Sequence, residues 1–232
     1  AGRALLVSAC STRLEEHAAL AVWRASGSRS WDIDDEMLAT SASRVVRFVL
    51  EHEAMQWEMA RQARTDPLTG LLNRRAFLEE VARHCSRLDR EEAPGTLIFA
   101  DLDNFKPVND RFGHEIGDAV LRQTATLLRK TFRPMDVIAR LGGDEFAVWL
   151  NGADQLTAAE RAEHLGTQAP LELNEITGTR NPGLNMSIGI ATRWPGSKED
   201  VDSLVRRADL AMYDVKRNGR GHWRVALDER AI

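Results

Sequence analysis

A chain of 232 residues, 43% hydrophobic and 28% charged, has the balance of a globular protein with room for one ordinary domain and a smaller piece. A net charge of −4 speaks against nucleic-acid binding, which shows as a strongly basic face. The two cysteines, Cys10 and Cys85, are no disulfide framework and suit a reducing cytoplasmic setting; the histidines lack zinc-site spacing, and no apolar run approaches the ~20 residues of a membrane span.

The chain opens Ala1-Gly2 without a methionine, as a piece of a longer protein would. "ALLVSAC" (4–10) and "HAALAVWRA" (17–25) read as two short strands, which are rarely stable alone. They must pack on something or belong to a larger sheet. Residues 32–64 read as one long helix, with Asp32 or Asp34 as its cap and acids in its first turn. A seven-residue spacing runs through Leu38, Ala42, Val45, Val49, His52, Gln56, Met59 and Ala63. Two polar members weaken it. A helix packed on its own domain is the alternative to a dimerising connector, and the connector is preferred because no flexible linker follows.

Asp66-Pro67 stops that helix. A helix is expected over 73–90, then a buried strand, "GTLIFADLD" (95–103), ending in acids. Residues 104–132 read as a short helix, a break at Gly113 and a longer helix. "DVIARL" and "DEFAVWL" flank Gly142-Gly143 as a hairpin with a two-residue loop. "TAAERAEHL" (157–165) is helical, "LNMSIGIATRW" a strand, "VDSLVRRADLAMYDVKRNG" a helix stopped by Gly219, and "HWRVAL" a last strand. The alternation from residue 95 onward predicts α/β layers on a mixed sheet.

Asp101 and Asp103, two apart at a strand end, point to one face where α/β sheets place ligands. So close, they repel unless a cation neutralises them or one is turned away, and hard oxygen donors select magnesium or manganese. Helix capping is the plain alternative, more acceptable for Asp103 than for Asp101. The N–H groups of Asn104, Phe105 and Lys106 lie at a helix start, a natural phosphate seat. If the hairpin tip lies beside this strand, Asp144 or Glu145 joins Asp101 around metal; an exposed acidic turn is the alternative. Asn109 and Asp118 flank the helix break, with His114 between them. A carboxylate there can take both donors of guanine, although ordinary helix-terminus polar residues would look the same. Lys216 and Arg220, four apart at a helix end, can reach one phosphate or simply complement the helix dipole.

Together "DPLTGLLNRR", "DLDNFKPVNDRFGHEIGD", "RLGGDEF", "NMSIGIA" and "ADLAMYDVKRNGR" resemble the GGDEF family of diguanylate cyclases over about residues 65–226. The resemblance implies a mixed, mostly antiparallel sheet flanked by helices, like the polymerase palm and class III nucleotide cyclases. It implies a homodimer that joins two GTP molecules into cyclic di-GMP and releases pyrophosphate. Asp101, the Leu102 carbonyl and Asp144 then match the metal ligands, with Glu145 the second signature acid and Asp144 the candidate base. Lys106, Lys216 and Arg220 match phosphate ligands; Asn109, His114 and Asp118 match the guanine and ribose pocket. "RPMD" puts Arg133 and Asp136 at the spacing of the family's product-inhibition site, a helix-to-strand turn being the alternative. Gly221 departs from the family's frequent Asn and is expected to loosen the end of the phosphate-binding helix. Pro107 falls in a first helical turn, where proline is tolerated. A non-catalytic GGDEF module that binds GTP or cyclic di-GMP is the competing reading. Upstream, residues 17–53 resemble the last strands and helix of a GAF sensor domain. The expected domains are thus 1–33 (sensor remnant), 34–64 (connector) and 65–232 (catalytic).

Overall fold

The structure is a computed structural model that describes residues 4–11, 17–25, 27–178 and 183–227. Ser26 of the expected turn and the side chains of Cys10 and Ala63 lie outside the described residues. Two compact units divide between Ala63 and Arg64.

In the first unit, β1 (Ala4–Ser11) pairs antiparallel with β2 (His17–Arg24), and α1 runs Ile33–Arg64 to the unit boundary. Asp32 is the α1 cap: its Oδ1 accepts from the Asp35 N–H at 3.0 Å, and Asp35 Oδ2 accepts from the Asp32 N–H at 3.1 Å. That reciprocal pair satisfies two donors at the helix start. The strands do not stand alone. Ser8 Oγ meets Ser43 Oγ at 2.9 Å, and Ala39 and Ser43 are buried. Much of α1 nevertheless leaves apolar side chains in solvent, among them Leu38, Val45, Val49 and Met59 of the seven-residue set.

The second unit holds α2 (Arg74–Glu91), β3 (Gly95–Asp103), α3 (Phe105–Phe112), α4 (His114–Thr131), β4 (Val137–Gly142), β5 (Glu145–Asn151), α5 (Gln155–Thr177), β6 (Asn185–Arg193), α6 (Val201–Arg217) and β7 (Trp223–Val225). Its sheet has the order β4-β5-β3-β6-β7, with only β6 and β7 parallel. This is the expected palm arrangement, a mostly antiparallel sheet with helices on both faces. β3 is buried along its whole length because it lies at the centre. Leu97 and Phe99 face the layer of α2 and α6; Ile98, Ala100 and Leu102 face the layer of α4 and α5. Asp101 and Asp103 continue the Leu97–Phe99 face, so the strand delivers both acids to the α6 side.

Two expectations need correction. The hairpin loop is Gly143-Asp144, not Gly142-Gly143, because a bulge at Leu141 takes up one residue and leaves Gly142 paired with Glu145. Gly143 alone adopts positive φ, +47°, at the first loop position. Helix α5 also runs well past residue 165 and through Pro170, carried by the apolar stripe Ala158, Ala162, Leu165, Ala169 and Leu173.

Candidate active site

The acids converge where β3 and β5 end. Asp101 stands directly opposite Glu145 in the ladder, so the two carboxylates share one face. Asp144 follows in the loop, and its carbonyl accepts from the Leu102 N–H at 3.3 Å. Among the hydrogen bonds of the described residues, no return bond runs from the Asp144 N–H to the Leu102 carbonyl. Asp101 is only 5% exposed. Its burial, then the charges of Asp144 and Asp103, push it up to about 6 against the pull of Lys216. Burial, then Asp209 and Asp144, also raise Glu145. A cross-strand pair of like charges is destabilising, and one cation present is the Lys216 ammonium, 2.6 Å from Asp101 Oδ1.

Asp103 does not cap α3. Ser187 Oγ donates to its two oxygens at 2.8 and 2.9 Å, and the Gly221 N–H donates to Oδ2 at 3.0 Å. The cap position is Asn104, at φ +63°, whose Nδ2 donates to the Gly183 carbonyl at 2.7 Å. Among the described residues no side chain caps α3, so the N–H groups of Phe105 and Lys106 keep the anion-accepting character of a helix start, with the exposed Lys106 side chain beside them. Pro107 sits harmlessly there, since the first α3 bond comes from Val108 to Asn104 at 3.1 Å.

Asn109 turns toward α4. A Cβ on Gly117 would lie 1.8 Å from Asn109 Oδ1, and among the described residues that buried oxygen has no partner. Gly117 is therefore a residue the sequence reading missed; no local pattern marks a glycine needed for a neighbour's carboxamide. Asp118 follows it, half-buried, with Arg122 at 4.0 Å, and His114 opens α4 exposed to solvent.

Arg220 is not on the helix face assigned to it. Helix α6 ends at Arg217; Gly219 and Arg220 both have positive φ, so i,i+4 helical spacing does not apply. Arg220 instead reaches back to 3.9 Å from Asp103, much as Lys216 reaches Asp101. Gly221 does not loosen the segment either: at φ +67° its N–H also lies 3.3 Å from Ser187 Oγ.

A further pair went unread in the sequence because 74 residues separate its members. Arg140 donates to both oxygens of Asp66 at 3.1 and 3.2 Å and to the Gly143 carbonyl at 2.7 and 2.9 Å. Burial opposes ionisation of Asp66, but the Thr69 N–H and hydroxyl and Arg140 hold it below the usual carboxylate value. The "DPLTG" turn thus anchors the hairpin tip that carries Asp144.

"RPMD" closes a turn: Asp136 accepts from the Arg133 N–H at 3.0 Å and the Asn151 N–H at 3.2 Å. The Arg133 side chain is exposed, and a groove of about 320 Å³ lies against it, lined also by Gly70, Arg129 and Pro134.

Among the described residues, no three His, Cys, Asp or Glu side chains are gathered around one point as a ready cation cage. The donor set still suits a hard divalent cation: carboxylates on one face, two of them raised by burial and by the nearby Asp144 charge, beside the Leu102 carbonyl.

A family model described as "Diguanylate cyclase, GGDEF domain" matches residues 63–222. The chain belongs to the GGDEF family. Diguanylate cyclase TpbB of Pseudomonas aeruginosa is 38% identical over 172 residues, 72% of this chain and 38% of TpbB. The bifunctional diguanylate cyclase/cyclic di-GMP phosphodiesterase MucR of the same species is 32% identical over 219 residues, 94% of this chain and 27% of MucR. This GGDEF chain therefore spans well under half of either relative. The crystal structure of the coiled coil and GGDEF domain of DgcB from Caulobacter crescentus, in complex with c-di-GMP, superposes with a TM-score of 0.70 at 30% identity, over 84% of this chain and all of that one.

Proposed function

We propose that this GGDEF chain is a diguanylate cyclase that works as a homodimer, condensing two GTP into cyclic di-GMP and two pyrophosphates. The observation that carries the proposal is the Asp101–Glu145 pair beside Asp144, an acid site whose repulsion a nucleotide-bound cation would relieve. Asp101, Asp144, Glu145 and the Leu102 carbonyl would hold magnesium or manganese, which when bound polarises phosphoryl oxygens and acidifies a hydroxyl. The 3′-oxygen of each GTP forms a bond to the α-phosphorus of the other as that phosphorus loses its pyrophosphate, so two displacements close the ring and release two pyrophosphates. Asp144 is the candidate acceptor of the hydroxyl proton. Lys106, the α3 N–H groups, Lys216 and Arg220 bind and neutralise the phosphates, the two basic side chains leaving Asp101 and Asp103 to do so. Asn109, whose buried oxygen has no partner among the described residues, reads the guanine edge with Asp118, and His114 sits at the same pocket.

Arg133 and Asp136 are the proposed product site, a reading supported by the c-di-GMP complex of DgcB. The exposed apolar residues of α1 are the proposed dimer seam, supported by the coiled coil of that same structure. The domain division and the GAF-like character of residues 1–33 stand as part of this proposal, as does a cytoplasmic setting. Among the described residues no helix is long and apolar enough to cross a membrane.

Replacing Asp144 and Glu145 together by Ala tests the site. Synthesis should fall below detection while the far-UV circular dichroism is kept; wild-type turnover would remove the acid cluster from the mechanism. Arg133→Ala should weaken product inhibition, and an unchanged inhibition constant would leave "RPMD" as a turn only.

A further inference from the structure

We infer that Asn185 is a positioning residue for the Arg220 phosphate contact, an inference that rests on the phosphate reading of Arg220. Asn185 stands opposite Asp103 in the β3–β6 ladder. A Cβ on Gly221 would lie 2.4 Å from Asn185 Nδ2 and 2.9 Å from its Cγ, so the carboxamide occupies the space that a side chain at 221 would fill. The Arg220-Gly221 turn is thereby held from three directions. The Arg220 N–H donates to the Val215 carbonyl at 3.1 Å, the Gly221 N–H to Asp103 and Ser187, and the Asn185 carboxamide packs beneath. Both turn residues have positive φ, at +63° and +67°, a conformation a non-glycine residue such as Arg220 adopts only when its surroundings enforce it.

Stability alone does not account for this asparagine. Among the described residues its buried Oδ1 has no hydrogen-bond partner, and an unpaired buried acceptor is destabilising. Alanine would escape that cost, yet would leave a gap under Gly221 and free the turn that aims Arg220. Asn185 therefore acts through Arg220 and touches no substrate atom itself.

The test measures affinity for a non-hydrolysable GTP analogue and for GMP, by calorimetry with magnesium, on the full chain and its variants. Asn185→Ala should keep or raise the melting temperature, weaken the triphosphate by about tenfold, the scale of one lost charged hydrogen bond, and leave GMP unchanged. Gly221→Ala, which pushes the same carboxamide aside, should lower the same ratio. Arg220→Ala is the control. If Arg220→Ala weakens the triphosphate but Asn185→Ala does not, the positioning role is overturned alone. If Arg220→Ala changes nothing, the phosphate reading falls and the inference with it. Equal weakening of GMP and the triphosphate would make Asn185 a structural residue and overturn the inference.

Discussion

Asp101 is held in a state that suits it poorly at neutral pH. Its folded value of about 6 lies above the ordinary 3.8, because burial and then Asp144 and Asp103 outweigh Lys216. The folded chain binds this proton more tightly than the unfolded chain. The associated stabilisation is complete below pH 3.8 and lost as pH rises through about 6, an effect on the order of 2–3 kcal/mol. In chelator at pH 7.5, Asp101→Asn should therefore melt above wild type, the two converging near pH 4. Magnesium should raise the wild-type melting temperature and leave the variant unmoved. A variant that melts lower in chelator would contradict this account of the site's electrostatics. Arg140 acts at the same scale but for the fold. Arg140→Ala removes four hydrogen bonds to Asp66 and Gly143 and should cost about 2 kcal/mol in urea unfolding. Arg140→Lys should recover little, since an ammonium cannot reproduce the guanidinium fork.

At the scale of elements, the strand–helix order and the central acids were legible because period and turn residues agree locally. The buried run 95–103 is an instance; the Asn73 cap of α2, whose side chain accepts from the Ala76 N–H at 3.0 Å, went unread. What was misread turns on one inserted residue or on where a helix ends. The Leu141 bulge shifted the hairpin loop, α5 ran on through Pro170, and Arg220 left the helix face assigned to it because Gly219 breaks the helix first. The apolar stripe through Leu173 was the available signal for the second half of α5. Packing also imposes constraints that no motif displays. A Cβ on Gly189 would lie 1.9 Å from the Ala208 carbonyl oxygen of α6. Gly189→Ala should push α6, and Lys216 with it, off the sheet and cost about 3 kcal/mol or more. Gly166→Ala has open space around it and should be neutral or slightly stabilising. Equal melting temperatures for the two variants would mean that α6 is not seated against β6 as closely as described.

At the scale of the molecule, one GGDEF unit supplies one acid site, while the proposed reaction needs two GTP molecules face to face. The apolar side chains exposed on α1 give a physical route to that pairing. Removing residues 1–63 should depress synthesis at low protein concentration, and a fused dimeric coiled coil should restore it. Unchanged synthesis by the truncated monomer would dismiss α1 as the dimer seam. The central claim is the chemistry itself. The direct measurement incubates the purified chain, dimerised by fusion, with GTP and magnesium, runs ATP in parallel, and resolves the products by chromatography. The account predicts cyclic di-GMP and pyrophosphate from GTP and nothing from ATP. GTP that binds but is returned unchanged by the enforced dimer would contradict it and leave a nucleotide-binding receptor.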